Sequence, residues 1–227
     1  MSNPLLIKLC GNTCPADLAL AQEVGADYAG IIIDVPQSPR SVSVAQAAQL
    51  AAGPAPPLVA VLLNAQDREP AWIERVVGSL RPAVVQLHGR ANPELVIWLT
   101  TKLGCRVWKV LHLEPPGEGA DDAADLLSQV CHYEVCGVCA FLLDTAITAD
   151  QRGGTGIPGN WEIARQIVQK ARVPVILSGG LDSGNVAAAI SQVRPAGVDV
   201  ASGVEAKPGR KDPAKVRAFV TAARQQS

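Results

Sequence analysis

One feature constrains this chain more than any other: a short, β-branched apolar run recurs along it, each time followed by an Ala-rich stretch that reads as a helix. The runs are LLIKLC (5–10), YAGIII (28–33), LVAVLL (58–63), AVVQLH (83–88), RVWKVL (106–111), AFLLD (140–144), VPVILS (173–178) and GVDVAS (197–202). The helical stretches are 15–25, 43–53, 70–80, 92–104, 121–130, 160–171, 182–193 and 212–225, several opened by Pro, Asp, Asn or Ser and closed by Gly. Eight such pairs within 227 residues, with no linker between them, predict an α/β chain folded as a single-domain (β/α)8 TIM barrel over residues 1–227. Aromatic residues make up only 4% of the chain, so its core has to be built from short aliphatic side chains.

The formal charge of -1 arises from 20 basic and 21 acidic residues mixed along the chain, which argues against a nucleic-acid or membrane-surface partner. No apolar run approaches the roughly 20 residues of a membrane span, and MSNPLLIKLCG has no signal-peptide pattern, so a cytoplasmic protein is expected. In that compartment the six cysteines are thiols rather than disulfides. The tightest group, CHYEVCGVC (131–139), has one C-x-x-C pair but no second pair to complete a zinc site, so no metal is expected there.

In a barrel of this kind chemistry sits where the strands end. Strand alternation, with the outer face apolar, turns Lys8 and Cys10, Gln86 and His88, Lys109, Leu142 and Asp144, and Asp199 and Ala201 toward the interior. Strands 1 and 8 are neighbours on closure, so Lys8 and Asp199 are expected to pair. An ammonium roughly 7 Å from the Cys10 sulfur would favour the thiolate. Alone, Cys10 reads equally as a small buried filler. Asp144 is either a loop cap or an acid facing the thiol. SGGL (178–181) and ASGVE (201–205) are glycine turns that lead toward helix starts on adjacent strands, where backbone N–H groups can hold an anion. GGTG (153–156) reads as a loop over the mouth or a plain connection.

Taken in order, KLCGNT, SPRSVS, VVQLHG, LLDT, GGTG, LSGGL, VDVASGVE and PGRKD resemble the phosphoribosylanthranilate isomerase family of tryptophan biosynthesis. The resemblance implies a (β/α)8 fold and a cofactor-free Amadori rearrangement of a small phosphoribosyl-amine substrate. It implies Cys10 as general base and Asp144 as general acid, with Arg40 on the aryl carboxylate and Gly179, Gly180, Ser202 and Gly203 around the phosphate. Lys8, Asp199 and His88 complete the expected site.

The chain departs from the family pattern on the aryl side. IIIDVPQSPR stands where an F-V-F run is usual, LLN where F-V-N is usual, and IPGNW follows GGTG. The added Asp34 either pairs with Arg40 or faces solvent. Besides the isomerase itself, a related isomerase of another phosphoribosyl-amine and a non-catalytic phosphate-binding barrel fit the sequence. So do both a monomer and a homodimer.

Overall fold

The computed structural model describes residues 4–113, 123–145 and 160–226. Eight parallel strands form the barrel: β1 (Leu6–Leu9), β2 (Tyr28–Ile33), β3 (Leu58–Leu63), β4 (Val84–His88), β5 (Val107–Leu113), β6 (Ala140–Thr145), β7 (Val175–Leu177) and β8 (Gly197–Val200). Each pairs with its neighbour in sequence, and β8 closes on β1 with Lys8 opposite Asp199. Eight helices pack outside: α1 (Pro15–Glu23), α2 (Val44–Ala51), α3 (Pro70–Leu80), α4 (Pro93–Thr101), α5 (Ala123–Val135), α6 (Trp161–Lys170), α7 (Val186–Val193) and α8 (Pro213–Arg224). The expected single barrel is the observed fold.

Helix starts follow the predicted chemistry. Ser43 and Gln46 form a reciprocal capping box on α2, and Asn92, Asn160 and Asp212 cap α4, α6 and α8 through their side-chain oxygens. Two helices differ from expectation. Residues 182–185 form a turn before α7, because the Asp182 carboxylate accepts from Gly184 N and Asn185 N and draws these amides out of a helical path. α5 runs on to Val135, so Cys131 and His132 lie on a helix, Cys136 Sγ contacts the His132 carbonyl and Cys139 lies just before β6. The stretch 131–139 is therefore split between two elements.

Two apolar layers follow from strand alternation. The larger lies between strands and helices and includes Ile7, Leu9, Ile31, Leu62, Leu87, Phe141 and Val198. The smaller fills the barrel with Val59, Val61, Val84, Trp108, Val110, Leu142 and Ile176. Its floor is an edge-to-face pair, Tyr28 on Trp108, with centroids 4.9 Å apart. Lys109, expected inside, faces outward. Trp108 takes the interior volume, and the Lys109 ammonium donates to the carbonyls of Gly89 (2.9 Å) and Val110 (2.6 Å) beside the Tyr133 ring.

After β8 the chain makes a short hairpin, Glu205–Lys207 against Arg210–Lys211. Buried Lys211 donates to the carbonyls of Cys10 (2.6 Å) and Ala201 (3.0 Å), which ties the hairpin to the upper ends of β1 and β8. Among the described residues no helix is long and apolar enough to cross a membrane.

Candidate active site

The barrel interior has a charged middle layer and a polar mouth. In the middle, Lys8 is fully buried and its ammonium donates to Asp199 Oδ1 at 2.8 Å. Burial alone would depress the Lys8 pKa, yet the Asp199 carboxylate and the Cys10 thiol outweigh it and hold the ammonium above its ordinary range. Ser178 at the end of β7 reaches the other Asp199 oxygen at 3.3 Å. The expected Lys8–Asp199 pair thus forms one layer below the mouth.

Cys10 follows β1 directly, one layer higher, buried at 7% exposure, with Gly30 of β2 beside it. A side chain at Gly30 would meet the Cys10 sulfur at 2.7 Å and Lys8 Cε at 3.1 Å, so glycine makes room for both. The thiol is not held as a thiolate. Burial pushes its pKa up, and the opposing pull of Lys8 is the smaller effect, so the expectation of a resting thiolate is corrected.

Across the mouth, Asp144 ends the inward face of β6. Burial raises its pKa from 3.8 to about 6, although His112 and the Thr145 N–H on Oδ1 (3.0 Å) favour the carboxylate. Its neighbour in register is His112 of β5, and the His112 ring lies 4.8 Å from that of His88 on β4. Both imidazoles are pushed down to about 4, chiefly by burial, and so are neutral at pH 7. The donor atoms of His88, His112 and Asp144 all fall within 4.8 Å of one another.

Arg40, in the turn after β2, makes two parallel bonds to Glu205, at 2.9 and 2.7 Å. Asp34 neither pairs with Arg40 nor turns to solvent: its carboxylate accepts the Trp72 indole N–H of α3 at 2.8 Å, and its carbonyl accepts from Arg68. The added acid is spent on helix packing outside the barrel.

The two glycine turns lie against each other. Gly203, in the turn Ser202–Val204, abuts the Leu181 carbonyl with no space for a side chain. Gly179 has φ +81° and presses on Thr145, which follows Asp144, so the turn after β7 also braces the acid. Asn185 donates to the Gly180 carbonyl at 2.8 Å and steadies the same turn. The loop 153–156 lies outside the described residues.

Cys10, Asp144, His88 and the glycine turns therefore gather at one end of the barrel, with Lys8 and Asp199 beneath them. Sequence reasoning missed three participants. His112 is the next inward residue after Trp108 and Val110, a signal lost by ending the run at Leu111. Glu205 and Lys211 are buried charges inside the quoted ASGVE and PGRKD stretches, where a polar loop looked sufficient.

A closed parallel barrel that gathers a carboxyl, a thiol and paired glycine turns at its C-terminal mouth has the architecture of the (β/α)8 barrel enzymes. The sequence matches the N-(5'-phosphoribosyl)anthranilate (PRA) isomerase family over residues 7–222. It is 39% identical over 216 residues to the N-(5'-phosphoribosyl)anthranilate isomerase of Methanocella arvoryzae, covering 94% of this chain and 95% of the relative. The enzyme of that name from Rhodopseudomonas palustris is 37% identical over 223 residues, covering 97% and 96%. Among solved structures, the phosphoribosyl anthranilate isomerase of Thermotoga maritima superposes with a TM-score of 0.80 at 30% identity, covering 97% of this chain and 99% of that one. A phosphoribosyl anthranilate isomerase in complex with reduced 1-(o-carboxyphenylamino)-1-deoxyribulose 5-phosphate gives 0.77 at 29% identity, with the same coverage. The chain belongs to the N-(5'-phosphoribosyl)anthranilate isomerase family.

Proposed function

We propose that this chain carries out the reaction named by its family, the Amadori rearrangement of N-(5'-phosphoribosyl)anthranilate to 1-(2-carboxyphenylamino)-1-deoxyribulose 5-phosphate. The observation that carries the assignment of roles is the placement of a thiol, Cys10, and a carboxyl, Asp144, at the C-terminal ends of β1 and β6 on one barrel mouth, in a chain that matches the family over residues 7–222. The upward pull of burial on both groups accords with it. Asp144 protonates the furanose ring oxygen, the C1'–O bond breaks, and the nitrogen lone pair forms an iminium. That positive charge lowers the Cys10 pKa when a base is required. The Cys10 thiolate removes the C2' proton, and the electron pair of that bond moves toward the iminium nitrogen to give an enaminol. The enaminol tautomerises to the ketone, leaving Asp144 as carboxylate and Cys10 as thiol. Each positioned proton carrier is worth about 10²- to 10⁴-fold.

The phosphate sits in the turns that hold Gly179, Gly180, Ser202 and Gly203. Arg40 exchanges Glu205 for the aryl carboxylate, one carboxylate for another. His88 lines the mouth next to Asp144, and Lys8 and Asp199 hold the strands beneath the reacting sugar. A different aglycone loses its main motive, because Asp34 is turned away to Trp72. A small-molecule substrate and a cytosolic monomer or homodimer accord with the balanced charge.

Growth of a tryptophan auxotroph that lacks this isomerase tests the assignment: the intact chain should restore growth, and Cys10→Ala and Asp144→Asn should not. Soluble, folded protein that leaves the strain unable to grow would refute it.

A further inference from the structure

We propose that His88, His112 and Asp144 form a binding site for a divalent transition-metal ion of the zinc and cobalt type, and that filling it switches the isomerase off. The three are the inward residues at the upper ends of consecutive strands β4, β5 and β6, with His112 and Asp144 directly opposite in register. The His88 and His112 rings meet edge to face at 4.8 Å, and the donor atoms of all three residues lie within 4.8 Å of one another. Donors of a tetrahedral zinc ion bonded at about 2.0–2.1 Å stand about 3.4 Å apart, so modest side-chain rotation closes the set.

Two imidazoles and a carboxylate converging from one side are a ligand set for zinc, cobalt or nickel, with the remaining coordination positions left to water. The Thr145 N–H already holds the Asp144 carboxylate by Oδ1 at 3.0 Å, the outer-shell support that metal-bound carboxylates use. Two lysine ammoniums lie near enough to act on these groups, and both are already engaged, Lys109 by the Gly89 and Val110 carbonyls and Lys8 by Asp199. The ion would take up the carboxylate lone pair that otherwise accepts and gives the catalytic proton. The inhibitory half of the proposal therefore rests on the reading of Asp144 as the acid, whereas the binding half does not.

Cobalt(II) chloride titrated into the purified protein reads binding directly through its visible d–d absorption, and zinc sulfate should displace it. A saturable band is expected in the unaltered chain and in the double variant Cys131→Ser/Cys136→Ser. Binding should be at least about tenfold weaker in His112→Ala and His112→Gln, two variants of different bulk. No saturable band, equal binding in both His112 variants, or a thiolate-to-cobalt charge-transfer band abolished by the cysteine changes would overturn the site. In parallel, zinc should silence turnover over the range in which it displaces cobalt, with recovery on adding EDTA. The His112 variants should need more zinc to lose the same fraction of their own metal-free rate. Zinc that displaces cobalt yet leaves turnover intact would overturn the switch, whereas metal-free protein without isomerase activity would strike at the proposed reaction and leave the cobalt result standing.

Discussion

At the scale of single residues, Asp144 sets two measurable behaviours. Its carboxyl binds a proton more tightly in the folded chain, at about 6, than in the unfolded one near 3.9. Between those values the native state holds more protons than the unfolded state, so the contribution of Asp144 to stability falls as pH rises through that window. The rise is equivalent to about 3 kcal/mol of burial cost carried at neutral pH. Asp144→Asn, silent in catalysis, should therefore be more stable than the parent by about 1–3 kcal/mol in urea at pH 7.5, and the gain should shrink toward pH 4. The second behaviour is the pH profile. The active arrangement, Asp144 protonated and Cys10 ionised, carries the same total charge as the resting Asp144 carboxylate with Cys10 thiol. It thus stays a fixed fraction of the enzyme between the two pKa values. A kcat/KM plateau is expected, with a lower limb at about 6 and an upper limb above the ordinary thiol range; a sharp optimum midway would contradict it.

At the scale of elements, the hairpin after β8 is held by several side chains, Thr13, Arg40, Lys215 and the buried Lys211 among them. Lys211 joins the Cys10 and Ala201 carbonyls and lies 3.5 Å from Glu205. Lys211→Met should cost about 1.5–3 kcal/mol in thermal or urea unfolding, with Glu205 still held by Arg40. Barrel strands are buried on both faces, so they read as unbroken apolar runs, and YAGIII and LVAVLL match β2 and β3 residue for residue. The same double burial hides strand parity where both faces must take a large side chain. Trp108 and Lys109 are adjacent, and which one turns inward is decided by Tyr28 below and the Gly89 carbonyl above, neither near in sequence. Strand ends turn polar at a functional rim, which is why His112 fell outside its run. Cys10, Asp144 and the glycine turns were legible because each sits where a run breaks. The Arg40–Glu205 pair was not: barrel closure sets Lys8 opposite Asp199, but no strand register links the turn after β2 to the hairpin after β8.

At the scale of the molecule, the barrel is sealed between its first and last strands by Lys8 and Asp199, 191 positions apart and shielded from water. Lys8→Met strands a buried carboxylate and should cost about 3–5 kcal/mol in urea unfolding, while the double change Lys8→Met/Asp199→Leu should recover most of that loss. The aromatic floor has a different consequence. Trp108 is 2% exposed and Tyr28 stands edge-on against it, so the barrel is a cup and not a tube. Among the described residues that floor leaves no way through, so the ketose is expected to leave from the same end at which the aminoaldose arrived. Product that lingers there shares its place with incoming substrate, and it should slow turnover in a strictly competitive way that excess substrate relieves in full.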